Sequence, residues 1–287
     1  MKKALIALAV AASAAVSGSA MAALGEWQEG SNGGNVSVGG IVNVYDLPVW
    51  LVATGSGFSG FTNDATDLTG DNKLLTVNAP EAIPIVAIKS KDAYSGIEYS
   101  KGTMPSVTLS GGDGVAITRT NWSNAAFDFS VPVYVNGAVA GSATFVQASP
   151  AGLMYGAGVN GTSGVSLVVS DNFNDPKSLY AGLVGGSQQA MGLSDTESIM
   201  SSLGFSDLIT ETKAKAGSFS YWVSNGWIQS LTPANAVSKF NTEGMKKAAT
   251  AFAFGIKQNG AINLTFSDAI TSTTQWNIPL NVSVVYN

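Results

Sequence analysis

The only residues in this chain with the makings of a catalytic site are carboxylates. Its 287 residues contain no histidine and no cysteine. That excludes Ser-His-Asp and Cys-His nucleophile pairs and most zinc sites, and it leaves paired carboxylates, the machinery of glycoside hydrolysis. Three pairs stand close in sequence: Asp64 with Asp67, Asp171 with Asp175, and Asp195 with Glu197. All fall in expected turns or helix starts, where a carboxylate satisfies backbone N–H groups and the helix dipole without any catalytic duty. None lies beside an apolar stretch that would raise a pKa. The expectation is therefore no enzyme. Asp67, Asp71 and Asn72 could offer oxygens to calcium, but the full loop spacing is missing. A solvated turn is the better reading, and no metal or cofactor is expected. Gly55-Ser56-Gly57-Phe58-Ser59-Gly60 has the spacing of a dinucleotide loop, yet no helical pattern follows it, so it reads as a turn.

Aromatic rings stack on sugar faces, and they also fill cores. Phe219 and Tyr221 alternate like strand residues and are expected in the core. Trp222, Trp227, Tyr155 and Tyr180 are the candidate contacts for a binding partner. Nucleic-acid binding is not expected: Arg119 is the only arginine and no cationic cluster exists. Without cysteine, no disulfide can contribute to stability.

Stepping along the chain, Lys2 and Lys3 precede an apolar run from Ala4 to Val16, and Ala20-Met21-Ala22 offers a small-x-small cleavage site. This is a secretory signal peptide over residues 1–22, so export is expected. The remainder carries 12 basic and 19 acidic residues, a net charge of −7. Residues 23–35 are polar and glycine-rich and read as a flexible leader. They run into the period-two pattern Val36, Val38, Gly40, Val42, Val44.

Short strands bounded by turn residues follow at Val49–Thr54, Leu75–Val77, Ile83–Ile88, Ser106–Leu109, Val115–Thr118, Phe127–Val135 and Val139–Val146. Asp113-Gly114 and Asn136-Gly137 are hairpin signals, and strands at this spacing point to a β-sandwich. Between about residues 172 and 247 the pattern turns helical. Asp175-Pro176 opens a turn carrying Leu179, Tyr180 and Leu183; Ser194 with Glu197 forms a capping box ahead of Met200 and Leu203; Thr232-Pro233 opens a helix carrying Phe240. Asn259-Gly260, inside Phe252–Phe266, is expected to close a hairpin.

Residues 275–287 then alternate strictly, with Ile278, Leu280, Val282, Val284 and Tyr286 on one face. The expected neighbour is the Phe252–Phe266 segment. With one neighbour the other edge of this strand stays open, and an open apolar edge invites another strand.

These features together resemble the cysteine-free FaeG and ClpG type of subunit from chaperone–usher fimbriae. The resemblance is carried by the leader, by Asn35-Val36-Ser37-Val38-Gly39-Gly40, by Thr54-Gly55 with Gly57, Gly60, Phe61 and Asn63, by Asp67-Leu68-Thr69, and by Thr273–Trp276 continuing into Pro279–Val282. One departure is Thr274, fourteenth from the end, where such subunits commonly carry glycine.

The resemblance implies an all-β fold: an incomplete immunoglobulin-like sandwich, completed by a donor strand and carrying a helical insertion at about 150–247. It implies that residues 23–44 form the donor extension and 45–287 the fimbrial domain. Val36, Val38 and Val42 would be the donor side chains. Ile278, Leu280, Val282, Val284 and Tyr286 would edge the groove and pair with a periplasmic chaperone. The implied partners are other copies of the subunit, that chaperone, an outer-membrane usher and a host glycoconjugate receptor, with display on the bacterial surface. An outer-membrane β-barrel and a secreted carbohydrate-active enzyme are the competing readings.

Overall fold

The computed structural model describes residues 46–123, 125–158, 163–169, 177–184, 192–217, 227–229, 231–242 and 244–287. In chain order its elements are β1 (Trp50–Thr54), β2 (Leu74–Asn78), β3 (Ile83–Ser90), α1 (Gly96–Lys101), β4 (Pro105–Gly111), β5 (Thr120–Ser123), β6 (Ala126–Val135), β7 (Ala138–Gly158) and β8 (Ser163–Val169). There follow α2 (Leu193–Ser202), α3 (Ser206–Ala216), β9 (Trp227–Gln229), α4 (Ala236–Thr242), β10 (Met245–Ile256), β11 (Ala261–Phe266), β12 (Trp276–Asn277) and β13 (Leu280–Tyr286). The protein is mostly β, and its sheets do not close into a barrel.

The large sheet is organised by β7. Its first half pairs with β6 and β11, its second half with β8 and β10. β11 continues to β2, and β10 to β3 and then β1. The Asn259-Gly260 turn therefore does not close a hairpin between β10 and β11, as the alternation had led us to expect. The two strands lie end to end along β7 instead. Gly255 pairs with Ser149 and Ile262 with Phe145, so six residues on one side face three on the other. Asn259 adopts φ +64° in this excursion and donates its N–H to Ala79, which keeps the backbone paired where the sheet changes direction. The Asn136-Gly137 hairpin does form, with both residues at positive φ between β6 and β7.

One face of this sheet carries the aromatic core. Phe127 stacks on Phe254 at 5.6 Å, Phe129 on Phe145 at 4.7 Å, and Tyr180 on Phe252 at 5.0 Å. Opposite them packs the small β4–β13 sheet through Val107 and Leu109. The other face of β7 and β10 is built from Ala151, Leu153, Ala249, Ala251 and Ala253 and is covered by Met200 and Leu203 of the α2 segment and Ile209 and Ala216 of α3. Alanines keep that face flat enough for helices to lie close against it. The β10 strand is thus buried on both faces.

The helical stretch differs from expectation in three places. Residues 177–184 form turns, not a helix. Tyr180 sits at φ +59° and Gly182 at φ +98°, and the segment splices in beside β4 by Tyr180 N–H to Pro105 O and Val107 N–H to Ala181 O. A Cβ on Gly182 would lie 1.9 Å from the Val107 carbonyl oxygen. The capping box at Ser194 is also absent, because Gly192 caps α2 and Glu197 is used elsewhere. A real capping box, Ser95 with Glu98, heads α1, an element the periodicity did not reveal. Finally, the helical region contains strands: β7 runs on to Gly158, and β8 and β9 pair in parallel. Where a strand was expected at Val115–Thr118, a single bridge, Ser110 to Ala116, forms.

Candidate functional site

The site is an edge. β13 pairs antiparallel with β4 from Leu280↔Gly111 to Tyr286↔Pro105, not with the Phe252–Phe266 segment expected from the sequence. On its other side the described residues supply no strand. The pairing fixes which groups face that open side. Pro105 and Leu109 accept, and Val107 and Gly111 donate, hydrogen bonds directed away from β13. Their partners Tyr286, Val282, Val284 and Leu280 therefore occupy non-hydrogen-bonded pairs, and their own N–H and C=O groups point to the open edge. Asn281, Ser283 and Val285 are the residues that bond to β4.

The side chains tell the same story. Ile278, Leu280, Val282 and Val284 pack against the aromatic core yet stay only half-buried, and Tyr286 is 46% exposed. Sequence reasoning thus picked out residues that combine core-facing side chains with outward-facing backbone. β1 is a second free edge of the large sheet: it pairs with β3 alone among the described residues, and Leu51 and Val52 are exposed.

A cavity of about 690 Å³ joins the ends of these two edges. Phe58 and Phe61 line it from the segment after β1, Trp276 and Ile278 from the segment before β13, and Phe145 and Ile262 of the core reach it from below. Phe61 stacks on Trp276 at 5.7 Å and meets Phe58 edge-on at 4.8 Å. Sequence reasoning assigned neither β1 nor this aromatic trio a role.

The remaining candidates fare differently. Val36, Val38 and Val42 lie outside the described residues, as does Trp222. Trp227 starts β9 and pairs with Leu167. Tyr155 and Tyr180 are fully buried, which corrects their assignment as receptor contacts. The Tyr155 hydroxyl donates to Glu197, whose carboxylate also pairs with Lys213 at 2.8 Å. Burial and that neighbouring carboxylate push the Tyr155 phenol well above its ordinary pKa. Its role is to pin α2 and α3 to the sheet. Tyr180 donates to the Thr250 hydroxyl at 2.8 Å, and burial raises its phenol pKa too.

Of the carboxylate pairs, Asp67 accepts from the Asp64 N–H at 2.9 Å and caps a single 3-10 turn. Residues 70–72 all take positive φ in a tight turn.

The whole chain, residues 1–287, matches the family model described as fimbrial, major and minor subunit. This chain belongs to that fimbrial family. Among its relatives are the K88 fimbrial protein AC of Escherichia coli, 32% identical, and the K88 fimbrial protein AD, 31% identical, each match covering all of both chains. The F41 fimbrial protein of the same organism is 27% identical, again over both full lengths. The fimbrial family is structural, not enzymatic, and its membership places this chain as a subunit that assembles with copies of itself into a surface fimbrium. A β-barrel does not fit the open sheets, and neither a β-barrel nor a carbohydrate-active enzyme fits that membership.

Proposed function

We propose that this fimbrial subunit polymerises by donor-strand exchange. Residues 23–44 of one copy, with Val36, Val38 and Val42 facing inward, add a strand to the open edge of β13 in another and complete an immunoglobulin-like sandwich. Before assembly a periplasmic chaperone lends the strand, and an outer-membrane usher exchanges it. Residues 1–22 direct export. The observation that carries this reading is the one-sided pairing of β13, whose inward side chains stay half-buried. Such strand addition to an exposed edge is a known recognition mode, with main-chain bonds giving affinity and alternate side chains giving specificity. Burying three valines contributes roughly 1.5–3 kcal/mol each, and the new backbone bonds about 1 kcal/mol apiece. Together these rival the stability of a whole domain, about 5–15 kcal/mol.

Deleting residues 23–44 tests it. The truncated subunit should still bind the chaperone but form no ladder of polymers on gels of unheated samples. Polymers of unchanged length would refute the reading. We further propose that the fimbria mediates adhesion through host glycoconjugates, with Trp222 and Trp227 as candidate contacts. A glycan array probed with the complemented subunit tests this, and silence on every glycan would remove the receptor class.

A further inference from the structure

The two ends of β13 differ in what surrounds them. At the Leu280 end, Val115 is 64% exposed and Val139 61% exposed, the two highest values among the exposed large aliphatic and aromatic residues. They belong to different turns but to one patch. The Val115 carbonyl accepts from the Gly111 N–H at 3.1 Å, and a Cβ on the adjacent Gly112 would lie 3.0 Å from the Tyr134 ring and 3.2 Å from Pro279. Tyr134 pairs with Val139 across the β6–β7 hairpin, and paired residues share a face. At the Asn287 end stand Leu47 and Val49, 50% and 47% exposed. They are tied there by Pro48, whose Cδ lies 2.5 Å from where a Gly102 Cβ would be, next to Met104 and its bonds with Asn287. Seven residues of β13 separate the two ends by about 20 Å.

We infer that the Val115–Val139 patch receives Leu47 and Val49 of the next copy in the fibre, forming a second, pole-to-pole contact beside the donated strand. The inference rests on the donor-strand reading and adds a specific junction to it. Only two residues separate Val44, the last alternating valine of the donor segment, from Leu47. An extended chain covers at most about 10 Å over that interval. Leu47 of the donating copy must therefore lie close to whichever end of β13 the donated strand reaches. The Asn287 end exposes only Leu47, Val49 and the strand's own Val285 and Tyr286. In a head-to-tail fibre Leu47 and Val49 there serve the contact with the copy into which this one donates, so the patch left to receive the next copy's Leu47 is the one at the Leu280 end. The donated strand consequently runs antiparallel to β13 and finishes near Leu280. Burial of four exposed aliphatic side chains at each junction then fixes the angle between neighbours, which a strand on a short tether would leave free.

The chain has no cysteine, so paired cysteines test the junction cleanly. Full-length Leu47→Cys/Val139→Cys and Leu47→Cys/Val115→Cys are displayed by cells that assemble the fimbria in an oxidising periplasm. All three positions are exposed, so the subunit should fold. In at least one pair, the expected result is a ladder that survives boiling and collapses with reductant. The corresponding single-cysteine variants, each with one thiol per chain, should show no boiled dimer. If unheated samples show the polymer ladder but neither pair survives boiling, the junction is wrong while donor-strand exchange stands. A boiled dimer from a single-cysteine variant would also overturn it, since the contact would then join like to like. If the unsubstituted chain gives no unheated ladder, donor-strand exchange fails and this inference falls with it.

Discussion

β11 and β13 carry the same alternating pattern and meet opposite fates. Ile262, Leu264 and Phe266 of β11 are 2%, 1% and 3% exposed, because β2 and β7 flank the strand on both sides. Leu280, Val282 and Val284 of β13 face the same core and remain half-buried, because among the described residues only β4 flanks them. Alternation records which face of a strand is apolar. It does not record how many neighbours the strand has. In β11 the missing information is supplied within the chain; in β13 the described residues do not supply it.

The sharpest way to break this comparison is to alter the open edge without touching the closed one. Val284→Pro removes an N–H that points away from β4, and proline is tolerated where an edge donor faces outward. The subunit should keep its β4 pairing yet lose the unheated polymer ladder almost entirely. Val285→Pro removes an N–H that bonds to β4 and should instead destabilise the monomer itself, lowering soluble yield. If both variants polymerised normally, the open side of β13 would not be where assembly occurs.

Core truncation separates the two strands next. Leu264→Ala should cost about 2–5 kcal/mol, whether or not the edge is occupied. Val282→Ala should cost about 1 kcal/mol in the isolated subunit, since its side chain is only half-buried there. That penalty should grow when a peptide spanning residues 36–44 is added. Urea unfolding with and without the peptide measures both. An equal, peptide-independent loss at the two sites would mean that β13 is already complete.

The fold was legible where local chemistry decided it and obscure where tertiary pairing did. Asn136-Gly137 needs only two residues at positive φ, and it forms as read. Asn259-Gly260 offered the same signal, but β7 lies beside both flanking strands and holds them end to end. Residues 177–184 carry helical spacing and a preceding proline, yet bonding to β4 outweighs a propensity worth only tenths of a kcal/mol per residue. The alternation gave the core-facing side chains Ile278, Leu280, Val282 and Val284, whereas Tyr286 is exposed. It could not give β4 as partner, nor β1 as a second edge, because neither follows from period alone. Tyr155 and Tyr180 were misplaced because an aromatic's surroundings, not its type, decide exposure.

The closed region makes the smallest prediction. Glu211 on α3 accepts from Lys89 of β3, and its other oxygen lies 2.9 Å from Lys215, so these bonds hold its carboxyl below the ordinary glutamate value. A depressed folded pKa means that the ionised form binds the folded state better. Its contribution is present above the unfolded pKa, about 4.3, and is lost as pH falls through the lower folded value. The side chain is 41% exposed, which limits the effect to roughly 0.2–1 kcal/mol, shrinking with salt. Glu211→Gln should therefore lower stability slightly at pH 7, make progressively less difference as pH falls below the unfolded value and through the lower folded one, and leave polymer length unchanged. Loss of polymers on this substitution would show that the helix-covered face contributes to assembly, and the contrast between a closed strand and an open one would no longer locate the working edge.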